Sequence, residues 1–180
     1  MRKTVLVLVG CLVLTAAPAW AGGAFSLFGT YGQINDYNST FGGGARLTLG
    51  GESFVVDLTG TWYPSVNGTA VKTGDGAIFG QIQLIPFDLG LRWIFAPGSE
   101  LRPYVGAGAS YALVDFSGGD SDDEFGYYLL AGFHIFGWGN GGMYVEGMYR
   151  WLDGHFYVGG VEYEERVGGF AGTFGVSFTF

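Results

Sequence analysis

The sequence predicts an all-β protein: an eight-stranded antiparallel up-and-down transmembrane β-barrel, preceded by a signal peptide. Three observations carry this. The chain opens on a basic, then apolar, then small-residue segment. The remainder parses into an even number of segments in which large apolar residues recur at every second position, and the connections between them alternate between long and short.

The opening segment, MRKTVLVLVGCLVLTAAPAWA, has the layout of a secretory signal, with Ala19 and Ala21 as the small residues of the cleavage site. Residues 1–21 are therefore expected to be removed and residues 22–180 to form the barrel. Leu8-Val9-Gly10-Cys11 has the look of a lipoprotein box, but it lies early and the apolar run continues past it to the better site. Loss of Cys11, the single cysteine, leaves no disulfide or thiolate metal site to be expected. No later stretch holds the roughly 18 to 20 unbroken apolar residues of a membrane helix.

Composition separates a membrane barrel from a secreted globule. The chain has 35 glycines, is 18% aromatic and only 13% charged, which is too apolar and glycine-rich for an ordinary soluble domain. Its net charge of −8 becomes more negative once Arg2 and Lys3 leave with the signal, and this argues against nucleic acid as a partner. No cofactor is expected.

The strand candidates are residues 24–33, 41–49, 53–62, 77–95, 101–115, 125–136, 143–152 and 167–180. Loops at Ile34 to Thr40, Tyr63 to Gly76, Phe116 to Glu124 and Asp153 to Arg166 are long, and those at Gly50 to Glu52, Ala96 to Glu100 and Gly137 to Gly142 are short. Long loops thus fall at one end and short turns at the other. On one face lie Phe54, Val56, Leu58 and Trp62; Phe87, Leu89, Leu91, Trp93 and Phe95; Phe125, Tyr127, Leu129, Phe133 and Ile135; and Met143, Val145, Tyr149 and Trp151. The alternate face carries Arg46, Asp57, Asp88, Arg92, His134, Glu146 and Arg150. Lipid outside and a polar lumen explain both faces. Trp62, Tyr63 and Trp151 at the long-loop end, with Trp93, Trp138, Tyr144 and Phe180 at the other, predict two aromatic girdles.

IPFDLGLRWIFAPGSELRPYVGAGASY, residues 85–111, resembles the strand–turn–strand unit of small OmpW- and OmpX-like outer-membrane barrels. The ending GVSFTF resembles their carboxyl-terminal assembly signal, carried by Phe178 and Phe180. The resemblance implies a Gram-negative outer membrane, contact with its lipid and lipopolysaccharide, recognition by the barrel-assembly machinery, and a structural or surface-interaction role. An OmpW-like narrow channel for small or apolar solutes is the alternative it implies. A peptidoglycan-binding role of the OmpA kind is not expected, since no further domain follows Phe180. A monomer is expected.

The three acids Asp57, Asp88 and Glu146 and the three bases Arg46, Arg92 and Arg150 sum to zero. Buried charge is tolerated when paired, so an ion-pair network occluding a narrow lumen is the expected arrangement. The long loops are strongly acidic. Asp120-Ser121-Asp122-Asp123-Glu124 lacks the spacing and glycine of a calcium loop and reads as solvated surface. Catalysis is not expected, because neither His134 nor His155 lies in the His-x-Ser-Asn type motif of lipid A deacylase barrels, and no serine sits at a recognisable nucleophile position. The lone Gly106-Ala107-Gly108 lacks the helix of a nucleotide loop.

Two finer expectations follow. The apolar phase switches from even to odd positions near Pro86, which predicts a β-bulge or strand break at residues 84–86. Turn lengths at Gly51-Glu52 and at Trp138 to Gly142 predict that Arg46 lies opposite Asp57 and His134 opposite Glu146.

Overall fold

The computed structural model describes residues 22–34, 39–73, 76–116, 120–121, 123–158, 161–166 and 168–180. Residues 1–21, with the expected signal and its cleavage positions, lie outside them. The strands in chain order are β1 (Gly23–Ile34), β2 (Ser39–Gly50), β3 (Phe54–Thr73), β4 (Gly76–Ile94), β5 (Leu101–Phe116), the short β6 (Asp120–Ser121), β7 (Glu124–Trp138), β8 (Gly141–Trp151), β9 (Asp153–Val158), β10 (Val161–Arg166) and β11 (Gly169–Thr179).

Eight of these close into an antiparallel barrel in which each strand pairs with its sequence neighbour and β1 pairs with β11. The closing ladder runs from Ala24 opposite Thr179 to Ile34 opposite Gly169. Phe180 adds a last rung: its N–H donates to the Gly23 carbonyl at 2.9 Å, and the Gly23 N–H donates back at 3.3 Å. A closed ladder leaves no unpaired edge.

The pleat sorts the side chains. Leu27, Phe54, Leu91, Val105, Leu129, Phe133, Val145 and Phe174 stand exposed on the outside, while Arg46, Asp57, Asp88, Arg92, Glu146 and Arg150 are buried within. This inverts a water-soluble protein and matches a barrel with lipid around it.

Inside, glycines face large side chains. A Cβ at Gly90 would collide with the Tyr128 hydroxyl, and one at Gly175 would lie 2.6 Å from the Tyr144 ring. The glycine richness of the chain therefore includes a packing role: small positions make room for tyrosines that reach across the bore.

The strands run further than their alternation indicates. The stretch expected as a loop from Tyr63 to Gly76 continues the β3–β4 ladder as far as Thr73 opposite Gly76. Much of the loop expected from Asp153 to Arg166 is a hairpin, β9–β10, to which β6 adds a third strand. Polar, glycine-containing segments do not alternate visibly, yet their backbone groups still gain by pairing.

Three expectations are corrected. First, β4 does not break at residues 84–86: it pairs with β5 without a shift from Ile82 to Ile94, with Pro86 opposite Ala112. The β3 ladder passes from Gly60–Phe87 to Tyr63–Leu84, so the missing Pro86 donor falls in a gap on that side. The irregularities lie instead in β3, between Tyr63 and Val66 and between Val66 and Thr69. Leu84 keeps its even phase and is buried in the lumen.

Second, both turn registers are displaced by two residues. Gly50 pairs with Val55, not Ser53, so Thr48 lies opposite Asp57 and Arg46 opposite Thr59. Gly50 adopts φ +148°, which favours glycine, and the Gly51 N–H donates to the Phe54 carbonyl at 3.0 Å across the wider turn. At the other turn Trp138 pairs with Gly141, with Gly139 at φ +47° and a register shift between Phe136 and Trp138. His134 therefore faces Tyr144, and Glu146 faces Gly132.

Third, Tyr63 and Tyr144 do not belong to the girdles, for both are buried in the lumen. Each lies an even number of residues from an inward charge on its strand, Tyr63 from Asp57 and Tyr144 from Glu146, and the pleat sends them the same way. Trp62, Trp93, Trp151 and Phe180 are exposed outside, and the Trp138 side chain lies outside the described residues.

Candidate functional site

The lumen is the candidate site, and it divides into three zones along the barrel axis. At the long-loop end the inward positions are mostly apolar. Tyr63, Leu84, Pro86, Ala112, Val114, Leu152 and Ala171 are buried there, and the space left among Tyr63, Leu84, Arg150 and Ala171 is about 10 Å³. Sequence reasoning missed this plug because its residues come one or two at a time from several separate segments of the chain.

The middle zone holds the charges. Arg46 grips Glu146 with both terminal nitrogens, Nη2 to Oε1 at 2.7 Å and Nη1 to Oε2 at 2.9 Å, and its Nε donates to Thr59 Oγ1 at 3.1 Å. The Tyr104 hydroxyl donates to the same Glu146 Oε2 at 3.1 Å. Arg92 Nη2 reaches Asp57 Oδ1 at 2.9 Å and Thr48 Oγ1 at 3.1 Å, and Thr48 in turn donates to that carboxylate at 2.6 Å. Arg150 Nη2 reaches Asp88 Oδ2 at 2.6 Å.

All six charged side chains are more than nine-tenths buried. Taking charges out of water is costly, and the hydroxyls and opposite charges around them supply the compensation. Aromatic faces add to it: the Arg92 guanidinium carbon lies 4.6 Å from the Tyr104 ring centre and that of Arg46 5.3 Å from Tyr144. Each acid meets one base, so the layer is neutral. Three buried tyrosines complete it, Tyr144 from the same strand as Glu146 and Arg150, and Tyr104 and Tyr128 from β5 and β7, which carry none of the six charges.

The third zone is open. A vestibule of about 350 Å³ lies at the short-turn end, walled by Ser26, Thr48, Val55, Ile94, Arg102, His134 and Ser177, with Arg92, Tyr104 and Tyr144 as its floor. His134 Nε2 lies 2.7 Å from Ser177 Oγ, a contact that joins β7 to β11. A serine beside a histidine is half of a nucleophile's equipment, but the ladder neighbours of His134 are Arg102 and Tyr144, and neither is the carboxylate that would orient a base.

At the long-loop end, the acidic run takes part in structure. Tyr111 donates to Asp123 Oδ2 at 2.8 Å, and Glu124 Oε1 accepts from both the backbone N–H and Nδ1 of His155 at 2.9 Å. No group of three or more metal-ligating side chains occurs among the described residues.

No protein-family model matches the sequence, and a search of curated proteins finds no match. Solved structures do match. Neisserial surface protein A is 18% identical at TM-score 0.63, covering 88% of this chain and 96% of that one. The E. coli outer membrane protein W is 19% identical at TM-score 0.60, covering 89% and 99%. The N-terminal β-barrel domain of Pseudomonas aeruginosa OprF is 16% identical at TM-score 0.58, covering 89% and 98%. At these identities the likeness concerns architecture. The closed antiparallel ladder, the apolar exterior and the polar lumen agree with it, and the chain has the fold of the small eight-stranded outer-membrane β-barrels.

Proposed function

We propose that the protein is an integral outer-membrane barrel of a Gram-negative bacterium with a structural or surface-interaction role, and that it does not conduct solutes at rest. What supports this reading is the packing of the bore: among the described residues, buried apolar side chains at the long-loop end and a neutral layer of three buried ion pairs lie in series across the lumen. An eight-stranded barrel has an interior just wide enough for its own side chains. The reading includes removal of residues 1–21, insertion by the barrel-assembly machinery through Phe178 and Phe180, contact of the outer belt with lipid and lipopolysaccharide, and no catalytic step.

The test is reconstitution of the pure protein in a planar bilayer. Conductance is expected to be absent or weak, with any residual current cation-selective because of the acidic loops, and more so at low salt. Large, steady, anion-selective channels would replace this reading with solute passage, the role for which the short-turn vestibule would be one mouth.

A further inference from the structure

The three-stranded sheet at the long-loop end has two edges, and they differ. At one edge β6 is two residues long, too short to template a ladder, while at the other β10 runs six residues, Val161–Arg166, with β9 on one side. Among the described residues no strand pairs with its other side. Antiparallel pairing uses alternate backbone groups, so the remaining N–H and C=O groups of β10 point away from β9 as an open edge.

The sequence of that edge narrows what adds to it. Glu162 and Glu164 hold alternate positions, opposite Tyr157 and His155 of β9, and Val161 and Tyr163 hold the positions between, opposite Val158 and Phe156. The acidic row continues across the sheet, since Asp120 of β6 is the other ladder neighbour of Tyr157. Glu165 adds a further acid, and Arg166, the one base of the strand, lies opposite Asp153. Like charges directly opposite one another destabilise a ladder, and opposite charges stabilise it. A second copy of β10 laid antiparallel in full register would set Glu162 against Glu165, and an acidic partner would meet the same carboxylates. A basic strand meets attraction at each of these positions.

We propose that β10 is the acceptor for an extended cationic segment of a partner protein, which adds to it as a fourth strand of the outer sheet. Lys or Arg at every second position pairs with Glu162 and Glu164, and apolar residues between them line up with Val161 and Tyr163. Strand addition takes its affinity from main-chain hydrogen bonds and its specificity from the alternation of side chains. The charges that blunt the edge against a second copy are the ones that select the basic strand. The proposal rests on the surface-interaction role above and gives that role a site and a partner chemistry.

The test is an amide NMR titration of the full barrel in phosphatidylcholine nanodiscs, with binding to empty nanodiscs subtracted. The probes are three end-capped hexapeptides: Lys-Val-Lys-Val-Lys-Val, its block isomer Lys-Lys-Lys-Val-Val-Val, and Glu-Val-Glu-Val-Glu-Val. Saturable shifts across Val161 to Arg166 are expected with the alternating lysine peptide, which should bind about fivefold tighter than the block isomer of equal charge. Its affinity should fall with added salt, and the glutamate peptide should not bind. Glu162→Lys with Glu164→Lys should reverse the preference between the lysine and glutamate peptides. The milder pair Glu162→Gln with Glu164→Gln should weaken the lysine peptide about threefold. The ligand-free spectrum reports whether each variant is folded. Equal binding of the block isomer, shifts confined to residues outside β10, no saturable shift with the lysine peptide, or unchanged affinities in the folded variants would overturn the proposal. None of these results bears on the occluded bore, which the planar-bilayer recording tests, so the two failures are distinct.

Discussion

Arg46 and Glu146 stand 100 residues apart in the sequence and meet at 2.7 Å inside the barrel. They come from β2 and β8, which β1 and β11 separate around the circumference, so their contact spans the lumen. Asp88 and Arg150, on β4 and β8, span it in the same way, while Asp57 and Arg92 join adjacent strands. The lumen is thus tied across at two levels and laced along its wall at a third.

The first prediction is energetic. Glu146→Gln leaves Arg46 buried beside a neutral amide and should cost about 3 to 5 kcal/mol, the range for breaking one side of a buried pair. Replacing both, Arg46→Met with Glu146→Leu, should recover most of it. Urea unfolding in micelles measures the cycle, and additive losses would show that the two side chains do not act as a pair.

The second prediction concerns leakage. Arg150→Ala removes the partner of Asp88 beside the apolar plug and opens space in which an uncompensated carboxylate draws in water. Planar-bilayer current should rise above the wild type while insertion persists, and Arg92→Ala should act alike through Asp57. Current unchanged in both variants would locate the seal in the apolar plug alone.

The third prediction tests the packing of glycine against tyrosine. The three atoms nearest to a Cβ at Gly175 all belong to the Tyr144 side chain, at 2.6 to 2.7 Å. Gly175→Ala should therefore destabilise by about 1 to 3 kcal/mol through overpacking. In a Tyr144→Leu background the same change should cost far less. Thermal mobility shifts on gels compare the four proteins, and equal penalties in both backgrounds would assign the effect to the backbone.

The fourth prediction separates the outer sheet from the barrel. Glu124 on β7 anchors β9 by accepting twice from His155. The His155 side chain is 37% exposed, so its contact with Glu124 is worth little even when the imidazole is charged, about 0.2 to 1 kcal/mol. Glu124→Ala should leave barrel unfolding nearly unchanged while limited proteolysis between residues 153 and 166 accelerates several-fold. Equal protease resistance would show that β6 and the hairpin's own ladder hold it.

Legibility in the sequence followed the range of the physics. Strand number and facing were readable because alternation is local: Phe54, Val56 and Leu58 declare an outer face and Asp57 an inner one within five residues. The same rule placed Tyr63 with Asp57 and Tyr144 with Glu146, and their girdle assignment ignored it. Registers were less readable, because the turns after Gly50 and Phe136 take geometries set by backbone torsions, and each moves the pairing by two residues without turning a side chain over.

The sequence by itself determined the eight-stranded alternation, the inward charges and their neutral sum. Only closure of the barrel decided which charge meets which, since Arg46 reaches Glu146 through the curvature that β1 and β11 impose and not through any spacing along the chain. The apolar plug and the open vestibule likewise arise where side chains from separate strands converge or leave the axis empty. That outcome depends on the tilt and stagger of the whole sheet, to which no single segment holds the information.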